Sequence, residues 1–146
     1  MTTIAMRSGV VASDSNIGLG GLKHPFGVQK LKRLDSGLIV GITGDYCWFE
    51  PFVEWFELGT PENRPNLQDS TILLFSATEL TVFEGAGEFT LQLEEIPFAA
   101  WGSGAAPALG ALHAGATAGE AVAIAALVDP GTGGAVHSLR IPEPKR

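Results

Sequence analysis

Between Phe98 and Val128 the only ionisable side chains are His113 and Glu120. A stretch this poor in charge has to leave water, either in a bilayer or in a packed interior. Glycines at 102, 104, 110, 115 and 119, together with Pro107, break it repeatedly and argue against one membrane-spanning helix. Thr117-Ala118-Gly119-Glu120 has the S/T-x-x-E spacing of a helix-start capping box, in which the hydroxyl and the carboxylate satisfy two otherwise orphaned backbone N–H groups. The pattern predicts two short, Ala-rich helices at about 104–114 and 118–128, whose small side chains permit close approach to a sheet. The low charge implies burial of this region, in part by other subunits.

The whole chain has 146 residues, a size that suits one compact domain. That domain is expected to span 1–141, with the PEPKR segment, 142–146, as a frayed tail. A net charge of -7, from 16 acidic against 9 basic side chains, gives no electrostatic footprint for nucleic acid or for an anionic membrane. Cys47 is the single cysteine and can form no internal disulfide, and MTTIAMRSG lacks the apolar core of a secretion signal. The expected compartment is the cytoplasm.

Short extended runs dominate the first forty-four residues. Thr2 to Arg7 and Val10 to Asp14 are joined through Ser8-Gly9, a hairpin signal, and Leu31 to Leu34 and Leu38 to Ile42 flank Asp35-Ser36-Gly37. Ile17 to Gly27, rich in glycine and containing Pro25, reads as a surface loop. From Asp45 to Leu58 the period changes: Trp48, Phe52 and Trp55, with Phe49, Val53 and Phe56 beside them, recur at helical spacing, and Pro51 fits only in the first turn. Gly59 to Asp69 is a polar connector. Thr71–Phe75, Leu80–Glu84, Glu88–Leu93, Phe98–Trp101 and Gly134–Ile141 are further strand candidates. Strands, one helix, strands, two helices and a strand make an α+β domain.

The chemistry begins at the N-terminus. Removal of Met1 leaves Thr2 with a hydroxyl and a free α-amine, a nucleophile and a base on one residue. An α-amine titrates at about 7.7–8.0, against about 10.4 for lysine, so near neutral pH it is the better proton acceptor by about two orders of magnitude. Many intracellular chains begin Met-Thr, so this feature needs partners. The interval from Thr2 to Asp14 is even and its midpoint, Ser8, falls in the turn; Asp14 is therefore expected opposite Thr2 on the adjacent strand. In VQKLKRL, alternation puts Lys30 and Lys32 on one face, either as a solvated basic edge or with Lys30 turned inward onto Asp14.

The segments TTIxM, VVASD, VQKLKRL, LIVGITGD, WGSGAAPALGAL and DPGTGGAV follow one another in an order that resembles proteasome β subunits and the bacterial HslV-type peptidase, the N-terminal-threonine branch of the Ntn hydrolases. The resemblance runs from Thr2 to about Leu139. It implies a four-layer αββα sandwich and a threonine peptidase. Thr2 is then the nucleophile, Lys30 and Asp14 the lysine and the acid that orients it, and Gly41 the backbone oxyanion donor. Ser103, which also reads as a helix N-cap, lies near the amine. Asp129 and Thr132, in D-P-G-T-G-G, match the family's D-x-x-S-G-G. By the same resemblance Ile17, Val28, Lys32, Ile39, Thr43 and Cys47 shape the first specificity pocket.

The family usually places two long helices after the VGITGD-like strand. Here only Asp45–Leu58 has a helical pattern, so a version lacking one helix is expected, with its aromatic run packed against another subunit or into a smaller core. Only Met1 precedes Thr2, which resembles the HslV type. The resemblance implies peptide or unfolded-protein substrates and a homo-oligomeric ring or stacked rings, and it allows an ATP-dependent unfoldase as partner. His24, His113 and His137 stand apart without ligand spacing, and GLGG at 18–21 precedes neither Lys-Ser/Thr nor a helix, so no metal and no cofactor is expected. Two alternatives remain open: a non-catalytic structural or assembly subunit of the same fold, and an Ntn amidase acting on a small amide.

Overall fold

The computed structural model describes residues 2–19 and 22–144. Met1 and its removal, Gly20-Gly21 of the expected loop, and Lys145-Arg146 of the expected tail lie outside the described residues. The fold is α+β, with antiparallel sheets and three α-helices among the described residues.

The first sheet contains β1 (Thr3–Arg7) and β2 (Val10–Ser13), flanked by β10 (Phe98–Gly102) and β11 (His137–Arg140), in the order β10-β1-β2-β11. The second runs β5-β6-β7-β8-β9, built from β5 (Leu31–Arg33), β6 (Ile39–Thr43), β7 (Thr71–Phe75), β8 (Glu79–Glu84) and β9 (Gly87–Gln92). The two predicted strand pairs at the start of the chain thus belong to different sheets. Strand alternation explains how the sheets face each other: Ile4, Met6 and Val11 point toward Leu31, Ile39 and Leu73 and form one apolar cluster between them. On the opposite face of the first sheet, Ala5 and Ala12 meet Ala108, Ala121, Val122 and Ala125 of α2 (Ala105–His113) and α3 (Ala118–Val128). The expected capping box opens α3, with Thr117 and Glu120 bonded reciprocally.

The outer face of the second sheet carries Val40, Ile42 and Ile72 against Phe49, Phe52 and Val53 of α1 (Phe49–Glu57). Pro51 sits in its first turn, as its missing N–H requires. The aromatic run packs within this cluster: Phe52 is fully buried, and Trp48, Trp55 and Phe56 lie partly buried around it. The connector supplies the rest of the cover. Leu67 is fully buried, and the Arg64 guanidinium lies over Phe83 at 5.6 Å while donating to Gly85 O and Gly87 O. Within one chain these aromatics contribute to a smaller core, with Trp48, Trp55 and Phe56 left partly exposed.

Two expectations need correction. Asn16–Leu19 and Leu22–Gly27 are strands, β3 and β4, paired with each other, where the sequence suggested a loop. Gly27 is there for close approach: a Cβ would press on Ser15 O. The first hairpin also has a different register. Ser8 and Gly9 both have positive φ, 52° and 75°, and form a two-residue turn that pairs Ile4 with Ser13. Asp14 is consequently opposite Thr3, its N–H donating to Thr3 O at 3.2 Å, and is one residue out of step with Thr2.

Candidate active site

Thr2 lies just before central strand β1 and is 2% exposed. The chain leaving β10 folds over it. Gly102 has φ 99° and no room for a Cβ, because Thr2 O occupies that space; a Cβ on Gly104 would strike Thr3 Oγ1. This close passage delivers Ser103. The Thr2 backbone nitrogen donates to Ser103 Oγ at 3.2 Å, and Ser103 Oγ donates to Asp129 Oδ2 at 2.6 Å. Thr132 Oγ1 donates to the same carboxylate oxygen at 2.6 Å, so in its 2.7 Å contact with Thr3 Oγ1 the Thr3 hydroxyl is the donor. Burial alone would raise the Asp129 carboxyl, but the bonds from Ser103, Thr132 and the Gly131 N–H outweigh it and hold the group below the ordinary range.

On the other side, Asp14 and Lys30 form a buried ion pair, with Lys30 Nζ 2.9 Å from Oδ1 and 3.1 Å from Oδ2. Backbone N–H groups complete the carboxylate's shell: Thr3 donates to Oδ1, and Asn16 and Gly133 donate to Oδ2. The register explains the Thr3 bond, since Asp14 is its cross-strand partner. Burial is the main influence on Lys30 and lowers its pKa, against the raising effects of Asp14 and Asp129. An ammonium in this position is fixed, partly desolvated and neutralised by one neighbour.

Thr2 and Lys30 share the wall of a cavity of about 540 Å³. Of the positions expected to shape a specificity pocket, Ile17, Val28 and Cys47 line it. The others lie elsewhere. Ile39 is fully buried in the cluster between the sheets, Lys32 lines a separate groove beside α1, and Thr43 is buried at the end of β6, paired with Thr71. Gly41 is also away from the cavity: it sits inside β6 between Leu31 and Leu73, and its missing Cβ faces Leu31 and Ile4.

Of the two glycines on the cavity, Gly18 and Gly44, the one with positive φ, 101°, is Gly44. Its amide donates to no backbone carbonyl among the described residues. Ser70 fixes this turn, filling the space a Gly44 Cβ would need and accepting the Asp45 N–H at 2.8 Å. Sequence reading missed Gly44, Ser70, Thr3 and Asn16. A glycine immediately after a buried strand was a usable signal for the first, because strand ends next to a pocket are where positive φ is needed. The other three show their importance only through long-range contacts.

No protein-family model and no curated relative matches the chain. Among solved structures it is similar to Thiobacillus denitrificans BPH in complex with epoxomicin, at a TM-score of 0.68 and 19% identity, covering 99% of both chains. It is likewise similar to a structure of Thiobacillus denitrificans BPH, at a TM-score of 0.66 and 19% identity, covering 94% of this chain and 95% of that one. At this level of identity the likeness concerns the fold.

Proposed function

We propose that this protein is a threonine peptidase that hydrolyses peptide bonds with Thr2 after loss of Met1. The single observation that carries the reading is the convergence on Thr2 of two polar systems: Ser103 and Asp129 at its backbone nitrogen, and the Asp14–Lys30 pair across the cavity wall. In this reading Thr2 Oγ attacks the peptide carbonyl, the α-amine takes the hydroxyl proton and returns it to the leaving amine, and water then hydrolyses the Thr2 ester. The Lys30 charge favours the developing alkoxide. The oxyanion donor is the Gly44 amide on the cavity, in place of Gly41. Thr132 and Asp129 keep Ser103 oriented.

The packing of helices on the outer faces of two stacked sheets supports a four-layer αββα sandwich of the Ntn-hydrolase type, reduced by one helix, in a single domain over 1–141. The similar BPH structure holds epoxomicin, a proteasome inhibitor, which supports a peptide-like substrate for this cavity. An uncovered apolar face at the end of α3, with Ile124 40%, Leu127 85% and Val128 67% exposed, supports assembly with further copies of the chain.

Peptide hydrolysis by the wild type and by Thr2→Ala, with the intact mass of each, tests the reading. Mature wild type lacking Met1 is expected to cleave a peptide library, and Thr2→Ala to lose all cleavage. Retention of Met1 by an assembled protein that cleaves nothing would establish the structural-subunit alternative instead.

A further inference from the structure

The cavity beside Thr2 has two chemically distinct parts. Ile17, Val28 and Ile42 supply apolar wall, while Asp45 and Tyr46 bring a carboxylate and a phenol. Lys30 also reaches the wall, but its charge is offset by Asp14 at 2.9 Å. Asp45 makes no salt bridge to a side chain among the described residues, although the N-terminal amine acts on it at longer range, so it is the carboxylate on the wall that an incoming side-chain cation could pair with. Its Oδ1 accepts the Cys47 N–H at 3.1 Å, capping the short turn Tyr46–Trp48; the carboxylate retains further acceptor capacity. Hydrogen bonding from the Cys47 side chain first, and from its backbone N–H second, keeps the group below the ordinary carboxylate range and therefore ionised at neutral pH.

The surroundings reinforce the negative charge. Tyr46 is also a wall of the neighbouring groove beside α1, where Glu50, Glu54 and Glu57 outnumber Lys32. A long aliphatic stem ending in a cation matches both parts of the cavity, with methylenes against the apolar wall and charge at the carboxylate. A purely apolar side chain would strip water from Asp45 without replacing it, and an anionic one would be repelled.

We propose that this cavity selects a lysine or arginine side chain of the peptide, and that Asp45 is the specificity-determining residue. The proposal rests on the peptidase reading for its setting, since it places the selected residue next to the bond that Thr2 attacks. Asp45 is exposed, so the preference is moderate, roughly three- to tenfold.

The test uses N-acetylated peptides that differ only in Arg, Leu or Glu before a reporter amide, so that no peptide α-amine competes for the carboxylate. Equilibrium binding is measured to the assembled Thr2→Ala protein and to its Asp45→Asn and Asp45→Ser derivatives, both of which keep an N-cap side chain. The Arg peptide is expected to bind about three- to tenfold tighter than the Leu peptide and the Glu peptide most weakly. Both substitutions should remove the difference between Arg and Leu, by weakening Arg and by relieving the cost that dehydrating the carboxylate imposes on Leu. Equal binding of Arg and Leu, an Arg preference that survives both substitutions, or no binding of any peptide would overturn the proposal. The same peptides are offered to the mature wild type: Arg-selective binding without hydrolysis would overturn the peptidase reading alone.

Discussion

The two helix-covered sheet faces solve the same problem with opposite materials. Outside the first sheet, two helices lie on Ala5 and Ala12 through Ala108, Ala111, Ala121 and Ala125. Outside the second, one helix and a connector cover Phe83 and its neighbours on the sheet with Phe49, Phe52 and Leu67. Small side chains bring backbones close, and that closeness has a consequence for the site: Asp129 and Thr132, just after α3, reach Ser103 and Thr3 through bonds of 2.6–2.7 Å. Large aromatic rings cover area that a second helix would otherwise cover, at the cost of depending on a few bulky groups. The alanine face positions chemistry, and the aromatic face holds the fold.

Substitutions that act on one face can break this distinction. Phe52→Ala removes a fully buried ring that meets Phe83 edge-on at 4.8 Å, and should destabilise the protein by about 3–5 kcal/mol in denaturant titration. At a temperature where the variant remains folded, its peptide hydrolysis should stay close to wild type. Ala125→Leu overfills the other face, next to Gly104, and should cost about 1–3 kcal/mol by the same measurement. Because it lifts α3 from the Ser103 turn, its loss of activity should exceed its loss of stability. If Phe52→Ala were the more damaging to activity at equal folded fraction, the division of roles would fail.

Smaller effects sharpen the picture at the ends of α3. Thr117→Ala deletes the capping-box hydroxyl and is expected to cost about 1 kcal/mol, read as a lower thermal midpoint. At the other end, Asp129 has a folded pKa below its ordinary value of 3.8. The unfolded chain therefore binds the proton more readily, so the stabilisation is full above that value and is lost as pH falls through the folded one. Thermal midpoints measured from neutral pH to about pH 3 should drop less steeply in Thr132→Val than in wild type, because the variant has already lost one of the bonds that depress Asp129.

Much of the fold follows from local pattern, and its failures have physical causes. The helix at 118–128 was readable because its cap, small-residue face and length agree. The strands of both sheets were readable from alternation. The β3–β4 hairpin was hidden because its glycines suggested a loop, whereas Gly27 serves a close contact with Ser15. Counting to the hairpin midpoint misplaced Asp14 by one residue, since a turn with two positive-φ residues centres between Ser8 and Gly9. For the candidate site, Thr2, Asp14, Lys30, Ser103, Asp129 and Thr132 were legible as motifs and the structure brings them together. Gly41 was misleading for a different reason: a glycine in a strand serves either a ligand or a crowded core, and only the positions of Leu31 and Ile4 show which.

The central claim is that Thr2, carrying a free α-amine, is the reacting group. Incubation of the assembled protein with epoxomicin, followed by intact mass and peptide mapping, tests it directly. The account predicts a chain that begins at Thr2 and carries one inhibitor per site, attached at Thr2. A chain that retains Met1, or one that begins at Thr2 yet stays unmodified, would contradict it.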